Sequence, residues 1–106
     1  MRTTILAIVL LFAFEAHLSA ATRTFKMVAP GCTDKELFIK IFKMIQDGDG
    51  RTAHRLLNRK IREGVCTAFR KGETVFLVKQ TTWDAEVLVR RRGQIKEFWV
   101  DRNWFE

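Results

Sequence analysis

The sequence predicts an α+β protein: a helical hairpin at residues 33–64, followed by a small antiparallel β-barrel of four or five strands at residues 65–106, with one disulfide. Apolar side chains recur at helical spacing in the first segment. From residue 65 the period falls to about two, and β-branched and aromatic residues become frequent. Two cysteines, Cys32 and Cys66, flank the predicted hairpin. These patterns together indicate one small domain.

The first residues have the pattern of a secretory signal peptide. Met1–Thr4 carries a positive charge, Ile5–Phe14 is an unbroken apolar run, and Ser19–Ala21 supplies small residues at a cleavable spacing. A membrane-spanning helix needs about 20 apolar residues, and this run has about half that length, so an uncleaved anchor is the weaker interpretation. We predict cleavage after Ala21, or alternatively after Ala20, and export to the periplasm or the extracellular space.

The remaining chain, residues 22–106, is long enough for one compact domain and too short for two. The leader contains one basic and one acidic residue, so the net charge of the whole chain, +7, is unchanged by its removal. A strongly basic protein favours anionic partners such as phosphate-rich polymers, anionic lipid headgroups or acidic proteins. Export disfavours nucleic acid as the target.

The first helix is expected to follow an extended segment at residues 22–31 that closes in a Pro30-Gly31 turn. Thr33 and Glu36 have the spacing of a capping box, so the helix should begin at Asp34. Apolar residues at helical spacing continue as far as the Asp47-Gly48-Asp49-Gly50 sequence, which ends the helix.

The second helix is expected from Arg51 to Glu63, with Gly64 in the left-handed position after it. One side of this helix is apolar. At 100° per residue, four arginines fall within a sector of about 80° on the opposite side: Arg51, Arg55, Arg59 and Arg62.

The C-terminal half reads as strands joined by glycine-containing turns. The predicted strands are Val65–Phe69, Thr74–Lys79, Ala85–Arg90 and Ile95–Val100, with turns at Lys71-Gly72 and Arg92-Gly93. Residues 101–105 should form a short helical turn or a further short strand.

An intramolecular disulfide between Cys32 and Cys66 is the expected use of two cysteines in a short exported chain. Two antiparallel helices of about 13 residues each run out and back by roughly 20 Å, so residue 66 should return close to residue 32. The bond would then tie the start of the first helix to the first strand. A free buried thiol and an intermolecular bridge are the alternatives.

The strand half resembles the small Src-homology-three-like barrels of bacterial exported proteins. The features that carry this resemblance are the Lys71-Gly72-Glu73 turn, the apolar strand Val75–Val78, the Val87–Arg90 strand, the Gly93 turn and the Phe98-Trp99-Val100 segment. The resemblance covers about 40 residues and implies a five-stranded barrel. It also implies ligands such as cell-wall peptides or proline-rich segments, although this chain has no tyrosine with which to build a tyrosine-rich peptide-binding surface.

Known catalytic and metal-binding patterns are missing from residues 22–106. The Asp47–Gly50 sequence begins like a calcium-binding loop, but Arg51 takes the place of an oxygen ligand and Asn58 that of the bidentate glutamate. His54 is a single histidine without suitably spaced partners, and serine is absent. We therefore predict no metal, no cofactor and no enzymatic activity, and we interpret the Asp47–Gly50 sequence as a turn.

Two basic clusters remain as candidate binding residues. The first is the arginine row of the second helix, and the second is Arg90, Arg91 and Arg92 with Lys96 at a strand hairpin, where three consecutive arginines should resist pairing within the fold. Trp99, which alternation places opposite Phe98 and Val100, is the tryptophan expected to be most exposed, and Arg102 follows it closely.

These observations predict a small exported, non-catalytic binding protein that engages an anionic polymer or an acidic protein surface. The alternative is an inhibitor or immunity-type protein that blocks an exported enzyme, with the hairpin Arg90–Gly93 as its wedge. A third hypothesis is a cationic protein that acts on membrane surfaces. The sequence does not indicate an oligomeric state.

Overall fold

The computed structural model describes residues 21–106. The signal-peptide prediction falls on residues 1–20 and Ala21, so all of it but its last residue lies outside the described residues. The elements are β1 (Thr22–Thr24), β2 (Ala29–Cys32), α1 (Lys35–Gln46), α2 (Gly50–Arg62), β3 (Cys66–Phe69), β4 (Thr74–Lys79), β5 (Glu86–Arg90), β6 (Glu97–Asp101) and a 3₁₀ turn (Arg102–Trp104).

All six strands belong to one antiparallel sheet with the order β1-β4-β5-β6-β2-β3. The predicted fold, an N-terminal helical hairpin followed by a four- to five-stranded barrel, is therefore wrong in both strand number and strand order. Two strands precede the helices, and β2 lies between β6 and β3. The helical hairpin is thus an insertion between two neighbouring strands, β2 and β3.

The missed strand β2 contains the two residues that we expected to form a turn. Pro30 and Gly31 lie opposite Ala68 and Thr67 in the pairing with β3. A Cβ atom on Gly31 would lie 2.8 Å from the ring of Phe69 and 2.9 Å from Val100. Glycine is therefore required here by close packing, and tertiary contacts override its local preference for turns.

Both helices form close to their predicted positions. α1 is capped by Asp34, whose carboxylate accepts hydrogen bonds from the backbone N–H groups of Glu36 and Leu37, so the predicted cap at Thr33 is one residue early. Gly64 follows α2 with a φ of 78°, as the sequence predicts.

Each face of the sheet has its own apolar core. One core holds Phe25, Ala29, Phe69, Val75, Val87, Val89, Phe98, Val100 and Phe105. The other lies under the helices and holds Cys32, Phe38, Ile41, Ala53 and Cys66, with Trp99 and Trp104 packed against it. The alternation in β5 and β6 explains this division, since Val87, Val89, Phe98 and Val100 point into the first core.

The predicted disulfide is confirmed. Cys32 and Cys66 are bonded and lie directly opposite each other in the pairing of β2 with β3. Both are buried, and the Thr33 N–H donates to the Val65 carbonyl beside them. The bond thus closes the base of the helical hairpin. Between residues 21 and 106, no helix is long and apolar enough to cross a membrane.

Candidate functional site

The four arginines of α2 form a row on the outer side of the helix. All four side chains are exposed, and the helix contains no acidic residue. Arg51 and Arg62, the ends of the row, are about 16 Å apart along the helix axis. Among the residues that the structure describes, none of the four takes part in an ion pair. The opposite side of α2 packs on the disulfide core, which fixes the direction of the row.

A lysine of α1 extends this basic surface. Lys40, Arg55 and Arg59 line an open groove of about 340 Å³ between the two helices, with Met44, Thr52 and Leu56 as the other lining residues. The groove therefore combines a basic rim with an apolar floor. Lys40 was not among the predicted binding residues, because helical periodicity does not say which residues of two helices face each other.

The three hairpin arginines do not form a free cluster. The Arg90 guanidinium donates to the backbone carbonyls of Arg91 and Gln94 and lies 4.9 Å from the centre of the Phe76 ring. Arg92 is exposed, with its guanidinium 5.9 Å from the centre of the same ring. The expectation that consecutive arginines resist pairing within the fold is wrong for Arg90 and Arg91, because side chains alternate in direction at the end of β5: Arg91 points to Phe69, whereas Arg90 and Arg92 point to Phe76.

Arg91 is held by contacts with two neighbouring segments. Its Nε donates to Glu73 Oε2 at 2.7 Å, one terminal nitrogen donates to Thr67 Oγ1 at 2.8 Å, and the other donates to the Ala68 carbonyl at 3.0 Å. The guanidinium also stacks 4.4 Å from the centre of the Phe69 ring. Arg91 therefore connects the end of β5 to the edge strand β3 and to the start of β4.

Glu73 is kept ionised by this arrangement. Burial alone would raise the pKa of its carboxyl, but the hydrogen bond from Arg91, the hydrogen bond from the Arg70 N–H and the charges of both arginines together hold the pKa below its ordinary value. These groups line a surface cleft together with Lys71 and Gly72. Glu73 and Arg91 are thus paired with each other on the wall of this cleft, whereas the side chains of Arg70 and Lys71 are exposed.

Lys96 and Arg102 also make internal contacts. Lys96 Nζ donates to the Gly64 carbonyl at 2.9 Å, just after the C-terminal end of α2, where a cation is favourable. Arg102 donates to the Thr82 carbonyl at 3.3 Å and so holds the loop between β4 and β5. The structure thus places the predicted binding residues at separate positions and keeps the α2 row as a continuous free surface.

The tryptophans differ from expectation. Trp99 is only partly exposed, because it packs against the disulfide core beneath Lys35, whose Nζ lies 4.9 Å from the ring centre. Trp83 is 90% exposed and was not selected from the sequence. Its position in a predicted loop, between Thr82 and Asp84, was the signal that could have identified it.

Two other features predicted from the sequence lie in the helical hairpin. Asp47, Gly48 and Asp49 connect the two helices, which confirms the turn interpretation. His54 is exposed on α2. Within residues 21–106, no three histidine, cysteine, aspartate or glutamate side chains come together in a group that could hold a metal ion.

Comparisons of the chain with protein-family models, with curated proteins and with solved structures give no match. The resemblance of the strand half to Src-homology-three-like domains therefore stays a prediction.

Proposed function

We propose that this protein is a non-catalytic binding module that engages an extended anionic polymer through the arginine row of α2. The observation that carries the proposal is the exposed row of four arginines on a helix without an acidic residue, none of them in an ion pair within the described part of the chain. Arginine presents a planar set of donors that matches phosphate and carboxylate groups. A straight row about 16 Å long can contact several such groups of one linear partner at the same time.

The helix is less stable with this arrangement than it would be with mixed charges. Arg51, Arg55 and Arg59 follow one another at four-residue spacing, where like charges destabilise a helix by about 0.2–0.5 kcal/mol per pair. An acidic residue at the central position, 55, would replace both repulsive pairs with attractive ones. Its absence is expected if the charges are used by a partner, because binding sites commonly reduce stability.

We also propose that the protein works in the periplasm or outside the cell. The intramolecular disulfide between Cys32 and Cys66 supports this location, because such bonds persist in oxidising compartments. Polymers that carry phosphate or carboxylate groups in those compartments are the partners that fit the row.

The proposal is tested with polyphosphate as the probe and with affinity measured over a range of salt concentrations. Neutralisation of four anionic groups on a flexible chain predicts a slope of log affinity against log salt of about −3. The double variant R55Q/R59Q removes half of the row and should reduce that slope to roughly half.

The matched control is K26Q/K79Q, which removes the same charge from two exposed lysines outside the helical hairpin. It should leave the slope almost unchanged. Equal losses in the two double variants would show that net charge, rather than the α2 row, attracts the polymer, and the proposal would then be wrong.

A further inference from the structure

A second groove lies on the other flank of α1, between this helix and the end of the β5–β6 pair. Its volume is about 370 Å³, within the range of ligand-binding pockets. Its apolar walls include Phe38, Ile39, Phe42 and Ala85, and its polar rim includes Glu86 and Asp101. At 100° per residue, Phe42 is about 160° from Lys40 around α1, so this groove and the arginine row lie on different sides of the molecule.

The apolar wall is exposed in part, and its aromatic rings are held in place by packing. Ile39 is 41% exposed, whereas Phe38 is almost fully buried. The rings of Phe38 and Phe42 pack edge-on against Trp104, with centroids 5.8 and 6.0 Å away. Aromatic side chains fixed in this way form a preformed surface, which reduces the entropy lost when a partner binds.

The loop before β5 is attached to the same flank of α1. Lys35 Nζ lies 3.4 Å from Asp84 Oδ2, and Trp83, the preceding residue, is 90% exposed. The Trp83 side chain is therefore exposed to solvent, two residues before Ala85 of the groove wall. Exposed aromatic residues of this kind are enriched at protein–protein contacts.

The rim of the groove is acidic, although the chain as a whole is strongly basic. Glu86 and Asp101 lie directly opposite each other in the β5–β6 pairing, so their Cβ atoms are about 5 Å apart. Asp101 Oδ1 accepts from the Asn103 N–H at 2.8 Å. In the part of the chain that the structure describes, neither carboxylate has a basic partner.

Two further groups make the rim more favourable for a cation. Asp47 also lines the groove, so that three acidic residues lie there against one basic residue, Lys43. The C-terminal end of α1 at Gln46 is also here, and the partial negative charge of a helix C-terminus favours positively charged groups. Like charges directly opposite each other destabilise an antiparallel pair, and an incoming cation would remove that repulsion.

We propose that this groove docks a short apolar segment of a partner protein that carries a lysine or arginine. Apolar side chains of the segment pack on Ile39 and Phe42, and its cation lies between the carboxylates of Glu86 and Asp101. The proposal is independent of the arginine row. A protein with both surfaces would hold an anionic polymer on one side and a basic, apolar protein segment on the other.

The test uses two capped peptides, Leu-Lys-Leu-Leu and Leu-Glu-Leu-Leu, added to the oxidised protein while backbone amide shifts are recorded by NMR. The lysine peptide should shift the amides of the groove and bind about tenfold more tightly than the glutamate peptide, as expected for one charged contact. The double variant E86Q/D101N should lose this preference without a lower melting temperature, because it also removes the repulsion. Asparagine can still accept the hydrogen bond from Asn103.

The control variant E97Q/E106Q removes two exposed carboxylates elsewhere and should bind the lysine peptide normally. Three results would overturn the proposal. The first is the absence of groove shifts with either peptide. The second is equal binding of the two peptides. The third is movement of the groove amides with protein concentration alone, which would make a second copy of the chain the occupant.

Discussion

Arg90, Arg91 and Arg92 are three identical neighbours with different surroundings. Arg90 holds the hairpin turn through backbone carbonyls, Arg91 is bonded to Glu73 and to β3, and Arg92 is exposed. Their chemistry is the same, so only the direction of each side chain from the strand explains the difference. At this scale a run of like charges predicts a solvated or binding surface, whereas the structure uses two of the three arginines inside the fold.

The contribution of Arg91 to the free energy of unfolding can be measured with conservative substitutions at positions 91 and 92. We expect R91K to lower the free energy of unfolding by about 1–3 kcal/mol, because lysine cannot reproduce three hydrogen bonds in a planar array. Loss of the guanidinium also leaves the Glu73 carboxylate poorly paired. The control R92K should change stability by less than about 0.5 kcal/mol. Urea unfolding monitored by circular dichroism gives both values, and equal effects of the two variants would contradict the structural role of Arg91.

At the scale of elements, periodicity identified both helices and the four strands that follow them. The α2 arginine row was predicted correctly as a continuous surface, because spacing on a helix fixes which side chains share a side. The first two strands were missed. β1 has three residues and β2 has four, with Pro30 and Gly31 in its centre, so neither carries enough alternation to be recognised. Their pairing partners are more than 30 residues away along the chain or at its far end.

The structure places the N-cap of α1 at Asp34, one residue after the predicted cap at Thr33. Because the Asp34 carboxylate accepts from two backbone N–H groups, D34A should cost about 0.5–2 kcal/mol of stability. T33A should cost clearly less, since the Thr33 side chain does not cap the helix. Thermal unfolding of the two variants compares the positions directly, and a larger loss for T33A would restore the predicted capping box.

At the scale of the whole molecule, the sheet joins chain segments that lie on both sides of the helical hairpin. β2 pairs with β3 and β6, while β1 pairs with β4, and Phe25 forms a bridge with Phe105 near the chain end. These long-range pairings carry a large cost in loop entropy during folding. The disulfide links two segments 34 residues apart and so offsets part of that cost in the oxidised protein.

The contribution of the disulfide is measured with C32A/C66A. Closing a loop of this length stabilises a protein by about 4 kcal/mol in the chain-entropy model, so we expect a loss of about 2–5 kcal/mol. Chemical unfolding with and without reductant gives the value. Reductant should destabilise the natural protein and leave the variant unaffected, whereas equal stability of oxidised and reduced protein would show that the bond contributes little to this fold.

Local sequence patterns were sufficient to predict the two helices, the strands of the C-terminal half, the α2 arginine row and the cysteine pairing. These features depend on local spacing or on a single geometric constraint, both of which are present in the order of residues. Long-range contacts were needed to show that β1 and β2 join the sheet, that Arg91 is bonded to Glu73 and to β3, that Trp83 rather than Trp99 is exposed, and that Glu86 and Asp101 meet beside an apolar groove. Each of these depends on contacts between distant segments, whose energies outweigh the local preferences of the residues involved.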